Sequence, residues 1–168
     1  MSGNLFRETG ELIIQIPALR RPTLVELCKR HQENFRRIKY DTSPTEAITL
    51  RLATVLRSDE GYISTVECQH RIVSQPHIFL GYQQLWWLVE HQHDTPDLKN
   101  LHGQIYIDGP GLVLVDELGS ERIPRINGGE KWFFTWTWIT QTGASFFHFG
   151  RIAYSNSFKS IESIAAID

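Results

Sequence analysis

A chain of 168 residues with 41% hydrophobic and 21% charged side chains is expected to form one globular domain. Its formal net charge of −2 supplies no general attraction to nucleic acid or to an anionic membrane. No apolar run reaches the ~18 residues needed to cross a bilayer, and Leu12 to Ile16 is too short for a signal peptide and ends at Pro17. Cys28 and Cys68 form no CxxC pair, so no disulfide framework is indicated and the expected location is cytoplasmic.

Residues 1–22 read as an arm ending in prolines, with one short strand at Glu11–Ile16. Thr23 has the character of a helix N-cap, with Glu26 three residues later as its capping-box partner. The helix that follows, Leu24 to Arg37, would place Leu24, Leu27, Cys28, His31 and Phe35 on one face. The basic pairs Arg20-Arg21 and Arg36-Arg37 read as solvated surface, or as a contact for a ligand phosphate. Ser43-Pro44-Thr45-Glu46 has the composition of a helix start, yet Ile48, Leu50, Leu52, Thr54 and Leu56 alternate as a strand does. With Ser58-Asp59-Glu60-Gly61 as a turn that wants positive φ at Gly61, the stretch reads as a hairpin with strands near 47–57 and 61–73.

From Phe79 to His91 the chain is apolar on nearly every face, and a helix of that kind is buried all round. The C-terminal half reads as sheet: Gln104–Asp108 and Leu112–Asp116 around Gly109-Pro110-Gly111, then Lys131–Gln141 and Ser145–Asn156 as a hairpin turning at Thr142-Gly143. Trp132, Phe134, Trp136 and Trp138 would line one face of that hairpin and Phe133, Thr135, Thr137 and Ile139 the other. Large residues on both faces imply cover on both, by the apolar helix and by a second subunit.

The order of elements, with one apolar helix and several antiparallel strands, resembles the hot-dog fold, an α+β arrangement in which a curved antiparallel sheet wraps a central helix, here about 79–91. Within it the chain is most similar to the FcoT-like acyl-CoA thioesterases. The resemblance rests on the first helix leading into a hairpin, on Gly81-Tyr82-Gln83-Gln84-Leu85 where the family shows an aromatic-Asn-Gln-Leu run, and on Trp136-Thr137-Trp138-Ile139 with Gly150-Arg151-Ile152-Ala153. It covers roughly residues 24–155 of a single domain, with 1–22 as arm, 23–156 as core and 157–168 as tail. Where the family has a longer polar segment before the central helix, this chain has only Ser74-Gln75-Pro76-His77. Gln83 alone stands on a family site position.

The resemblance implies that an acyl thioester, of coenzyme A or of a carrier protein, lies with its carbonyl at the N-terminus of the central helix. Backbone N–H groups and the helix dipole can hold an oxyanion there. His77 is the candidate base, with Gln83 placing water or the carbonyl. Gly81 allows close approach, or merely tight packing on a strand. Tyr82, Gln84 and Glu90 complete the expected binding set. Glu90 is the helix-borne carboxylate that some hot-dog thioesterases use, or a solvated residue. No cofactor or metal is expected: His91, His93, Asp94 and His102 follow no strict ligand spacing, and His91 and His93 point about 200° apart on a helix. Glu67-Cys68-Gln69 after Asp59 has a faint likeness to a nuclease core but lacks its Lys. The expected function is hydrolysis of an acyl thioester by a homo-oligomer without nucleic-acid or membrane partners. A hot-dog dehydratase or cyclase, or a non-catalytic protein that binds an apolar ligand or a partner, is the alternative.

Overall fold

The first strand, β1 (Arg7–Ile16), uses the arm as an edge of the sheet and buries Leu12, Ile14 and Ile16. A computed structural model describes residues 6–73, 75–101, 106–140, 147–148 and 150–155. The strands that follow are β2 (Arg37–Asp41), β3 (Ile48–Thr54), β4 (Ile63–Ser64), β5 (Ile78–Phe79), β6 (Tyr106–Asp108), β7 (Leu112–Val115), β8 (Glu121–Gly128), β9 (Trp132–Thr140), β10 (Phe147–His148) and β11 (Arg151–Ser155). The helices are α1 (Leu24–His31), α2 (Thr65–Val73), α3 (Tyr82–Glu90) and the single turn α4 (Pro96–Lys99). The fold is α+β: the main sheet runs β1-β3-β11-β6-β8-β7-β2, with β9 on the far side of β8 and β5 beside β11. All its pairs are antiparallel except β11 with β6.

Thr23 caps α1 as its sequence predicts, accepting the Glu26 N–H at 3.2 Å. Glu26 pairs with Arg20 and also reaches back to the cap, where Thr23 hydrogen bonds help to hold its carboxyl below the ordinary value. The helix ends at His31, six residues short of Arg37, because Gln32 takes a left-handed conformation (φ 53°) and its N–H and that of Glu33 close on the Cys28 carbonyl. Arg37 to Asp41 then pairs with β7, and Phe35 packs from a loop beside Leu27 and Trp136.

The expected hairpin over 47–73 is half right. β3 forms, but its partners are β1 and β11, and only Ile63–Ser64 of the second stretch is strand. From Thr65 the chain is helical, because Ser64 Oγ accepts the Glu67 N–H at 3.0 Å and Arg71 bonds Glu67 one turn on. Thr65, Cys68 and Ile72 share the buried face. Gly61 lies outside the left-handed region, which among the described residues holds Gly10, Gly119 and Gln32.

The apolar helix exists as α3 but is shorter than Phe79–His91, since Ile78 and Phe79 are strand, paired with Ser155 and Tyr154. Tyr82 to Leu85 and Leu88 are buried, whereas Trp86, Trp87 and Val89 remain half-exposed, so its cover is not complete. β9 pairs along β8 rather than with β11, and the expected turn at Thr142-Gly143 and the ends Gln104, Ser145 and Asn156 lie outside the described residues. Trp132 and Trp136 face the core, Phe133 is 55% exposed, and α2 covers the other face of β9 near Ile139.

Candidate functional site

Three chain segments meet at the N-terminus of α3. Gly81 precedes the helix, and its N–H donates to Gln84 Oε1 at 3.0 Å, a capping interaction made within the helix. Gln84 Nε2 donates to the Pro44 carbonyl at 2.7 Å. Gln83 Nε2 donates to Ser43 Oγ at 2.8 Å and to Pro44 O at 3.0 Å. Ser43 is fully buried and held by Asp41, whose carboxylate accepts its N–H and O–H, and by Arg21, which donates twice to its carbonyl. A Cβ on Gly81 would stand 2.7 Å from Ser43 Cβ, so the packing explanation of Gly81 describes this geometry. On the other side Gly111 N–H donates to the Leu80 carbonyl at 2.8 Å, and a Cβ on Gly111 would come within 2.3 Å of Phe79 O. The helix N-terminus is thus covered by residues 42–44 and 109–111 of the same chain.

Tyr82, Gln83 and Glu90 are brought together on the side of α3 that meets α1, with Gln83 Nε2 also reaching the cover of the helix terminus. They line a recess of about 170 Å³ with Arg30, Trp86 and Trp87. Tyr82 Oη accepts from Arg30 Nη1 at 3.0 Å and lies 2.7 Å from His31 Nε2. Burial, and then the adjacent Arg30 charge, push the His31 imidazole below its ordinary value, so the ring is neutral at pH 7. Arg30 can only donate, so the Tyr82 proton is free for His31 Nε2 in the imidazole tautomer that carries its hydrogen on Nδ1. Burial also raises the Tyr82 phenol, and the Arg30 bond opposes that. The Arg30 guanidinium lies over the Tyr82 and Trp86 rings at 5.9 and 5.5 Å. Gln83 Oε1 is buried with no hydrogen-bond partner among the described residues.

His77 stands elsewhere. It lines a groove of about 690 Å³ between α2, the end of β2 and the start of β8. The groove's apolar lining is Val66, Ile72, Val73, Phe79, Pro110 and Ile139, and its polar lining includes the Lys39–Glu121 ion pair, Tyr40, Gln69 and His70. The His77 ring stacks on Phe6 at 4.4 Å between centroids and meets Tyr154 edge-on at 5.1 Å. Burial lowers its pKa, only partly opposed by Glu8, and its Nδ1 is buried with no partner among the described residues. No residue is shared between this groove and the recess beside α1.

Reading the sequence missed the groove, because Val66 to Val73 was assigned to a strand. The signal was present in Ser64-Thr65-Val66-Glu67, a capping-box pattern, and in the helical spacing of Thr65, Cys68 and Ile72. It also missed the partnership of Arg30 and His31 with Tyr82, which joins residues 51 and 52 positions apart. His91 stacks on Trp87 with Nδ1 2.9 Å from its carbonyl, and His102 lies outside the described residues. Among the described residues no group of three or more His, Cys, Asp or Glu side chains is placed to hold a metal, and no helix is long and apolar enough to cross a membrane. Glu67 and Cys68, weighed as part of a nuclease core, lie on α2.

The site and sheet together define an α+β protein with a large, mostly antiparallel sheet and an apolar-floored groove beside one helix. Set against known protein families, curated proteins and solved structures, the chain matches none of them.

Proposed function

We propose that the groove beside α2 is the ligand site and that it holds an amphipathic small molecule, apolar body on the floor and polar head near His77. The observation that carries this is the groove itself: about 690 Å³, within the range of small-molecule sites, lined by six apolar residues and by His77, whose buried Nδ1 has no partner among the described residues. A fatty acyl group fits that description, and an acyl thioester of coenzyme A or of a carrier protein is the class the hot-dog resemblance implies. The hot-dog arrangement is part of the proposal. It is supported by one hydrophobic cluster that joins Leu85 and Leu88 of α3 to residues of β1, β3, β11, β6, β8 and β9. Those strands are successive neighbours and would span ~24 Å if flat, more than twice the ~10 Å width of a helix, so a curved sheet accounts for the shared core.

Binding is tested by titrating a fluorescent fatty acyl probe into the wild type and Val73→Asp. Val73 lines the groove and is 81% exposed, so the charge alters the apolar lining without unfolding the chain. Loss of about tenfold in affinity is expected; an unchanged affinity removes the groove from consideration.

Hydrolysis of the thioester is the second reading, favoured by one observation: burial holds His77 in its neutral, basic form in the groove. A panel of acyl-CoA chain lengths, followed by thiol release, distinguishes the two. Hydrolysis predicts turnover that falls about 10²-fold in His77→Ala; binding alone predicts probe affinity with no turnover at any length.

A further inference from the structure

We infer that the groove beside α2 takes a two-headed ligand: an uncharged polar group at His77, a medium-length apolar chain, and a carboxylate at Lys39. The inference rests on the groove being the ligand site and narrows the class of molecule it holds. The two polar ends are set apart by the elements that wall the groove. α2 begins where Thr65 Oγ1 donates to the Ile139 carbonyl at 2.8 Å, and the pairing of β8 with β9 brings Glu121 and its partner Lys39 to that end. At the other end Thr42 N–H donates to the Gly111 carbonyl at 2.7 Å and Gly111 N–H to the Leu80 carbonyl at 2.8 Å, which draws the chain after β2 to Phe79 and His77. Lys39 to Thr42 spans ~10 Å of extended chain and Val66 to Val73 ~10 Å of helix, so both walls give the same separation.

Each end keeps hydrogen-bonding capacity that the described residues do not use. His77 Nδ1 is buried without a partner among them. The Lys39 ammonium carries three donors, of which Glu121 takes one and no other described residue takes a second. A chain ending in a methyl group would press that methyl on the ion pair and strip water from two charges without replacing it, which costs free energy. A carboxylate takes the remaining Lys39 donors instead. The first turn of α2 lies at the same end, and its dipole favours an anion there over an ammonium group. At the opposite end burial favours the neutral form of the His77 ring, which suits a hydroxyl or carbonyl better than a second charge. For an acyl thioester this sets the thioester at His77 and a carboxylate at the far end of the acyl chain.

Isothermal titration calorimetry on the full chain compares decanoic acid with ω-hydroxydecanoic acid, which differ only in a hydroxyl at the end away from the carboxylate. The hydroxy acid should bind about tenfold more tightly. His77→Phe, which keeps an aromatic ring on Phe6, should bring the two acids to equal affinity. Lys39 and Glu121 are partly exposed, so their variants keep the fold. Lys39→Gln should weaken both acids about tenfold, and Glu121→Gln should weaken neither. Equal affinity of the two acids for the wild type overturns the two-headed ligand and leaves the groove as a ligand site. A preference that survives His77→Phe overturns it as well, because the hydroxyl then lies elsewhere. Weakening by Glu121→Gln and not by Lys39→Gln overturns the anionic end. Binding of neither acid overturns the inference, and the fluorescent fatty acyl probe then tells whether the ligand site falls with it.

Discussion

The N-terminus of α3 and the groove beside α2 both gather polar groups among apolar ones, and they differ in how many the chain itself pairs. At α3, Gln84 bridges the Gly81 N–H and the Pro44 carbonyl, and Gln83 Nε2 reaches Ser43 and Pro44, so these donors meet acceptors of the same chain, while Gln83 Oε1 has no partner among the described residues. In the groove His77 lies on a Phe6–Tyr154 shelf with Nδ1 unanswered among the described residues, beside apolar side chains that remain open. A buried polar group costs free energy until something pairs with it. Where the chain supplies the partner, the group stabilises the fold; where it does not, the partner is available to come from a ligand. The polar residues of α3 that stood out in the sequence belong mainly to the first case.

Substitutions separate the two regions. The largest effect is expected from Gly111→Ala, whose Cβ would meet the Phe79 carbonyl at 2.3 Å against a backbone that cannot step aside. A loss of about 3 kcal/mol or more in urea unfolding is predicted. Gly61→Ala, where a Cβ meets nothing within 4 Å, should change stability by no more than about 0.5 kcal/mol. Next comes Gln84→Ala, which leaves the Gly81 N–H and the Pro44 carbonyl with one partner fewer in a buried place. About 1–3 kcal/mol should be lost in the same measurement. A smaller cost would mean that water reaches the α3 N-terminus, and the contrast between the regions would weaken.

Acid acts on the groove side. The His77 pKa is lowered by folding, so the unfolded chain binds this proton more readily than the folded one. Stability should therefore fall as pH drops through the ordinary histidine value of 6.5, and His77→Phe should flatten that part of the unfolding curve. The smallest effect is at Glu60, whose carboxyl is held at about 2, below its ordinary 4.5, chiefly by hydrogen bonds from Arg71 of α2. A carboxylate depressed in this way contributes fully above 4.5, and the contribution is lost as pH falls from there through 2. Glu60→Gln should remove that slope in acid unfolding monitored by circular dichroism.

Much of the fold was legible from local chemistry. Thr23 marked the start of α1, alternation marked β3, and the apolar run marked α3. What failed were choices decided at a distance. Nothing local says that Gln32 will turn left-handed and release Arg37 to Asp41 to pair with β7. The alternation of Tyr62, Ser64, Val66 and Cys68 was real, but the capping bond from Ser64 and the burial of Thr65, Cys68 and Ile72 against the sheet outweighed it. The pairing of β9 with β8 in place of β11 depends on a strand, Glu121 to Gly128, that carries Pro124 and so reads poorly as a strand. Of the residues singled out as a site, Tyr82, Gln83 and Glu90 do share a recess, while His77 lies in the other cavity. Gly81 and Gln84 serve the packing and capping of α3. Residue type told which groups carry chemistry, but only the meeting of residues 40 or more positions apart told which were already spoken for.

Under the proposed function, ligand enters the groove beside α2 and leaves the N-terminus of α3 untouched. The direct measurement is a nuclear magnetic resonance titration with a medium-chain fatty acid, following the His77 imidazole and the Gly81 and Gln84 backbone amides together. The His77 ring resonances should shift along a saturating curve while the two amides hold their positions. Saturating shifts at Gly81 and Gln84 with His77 unmoved would contradict it.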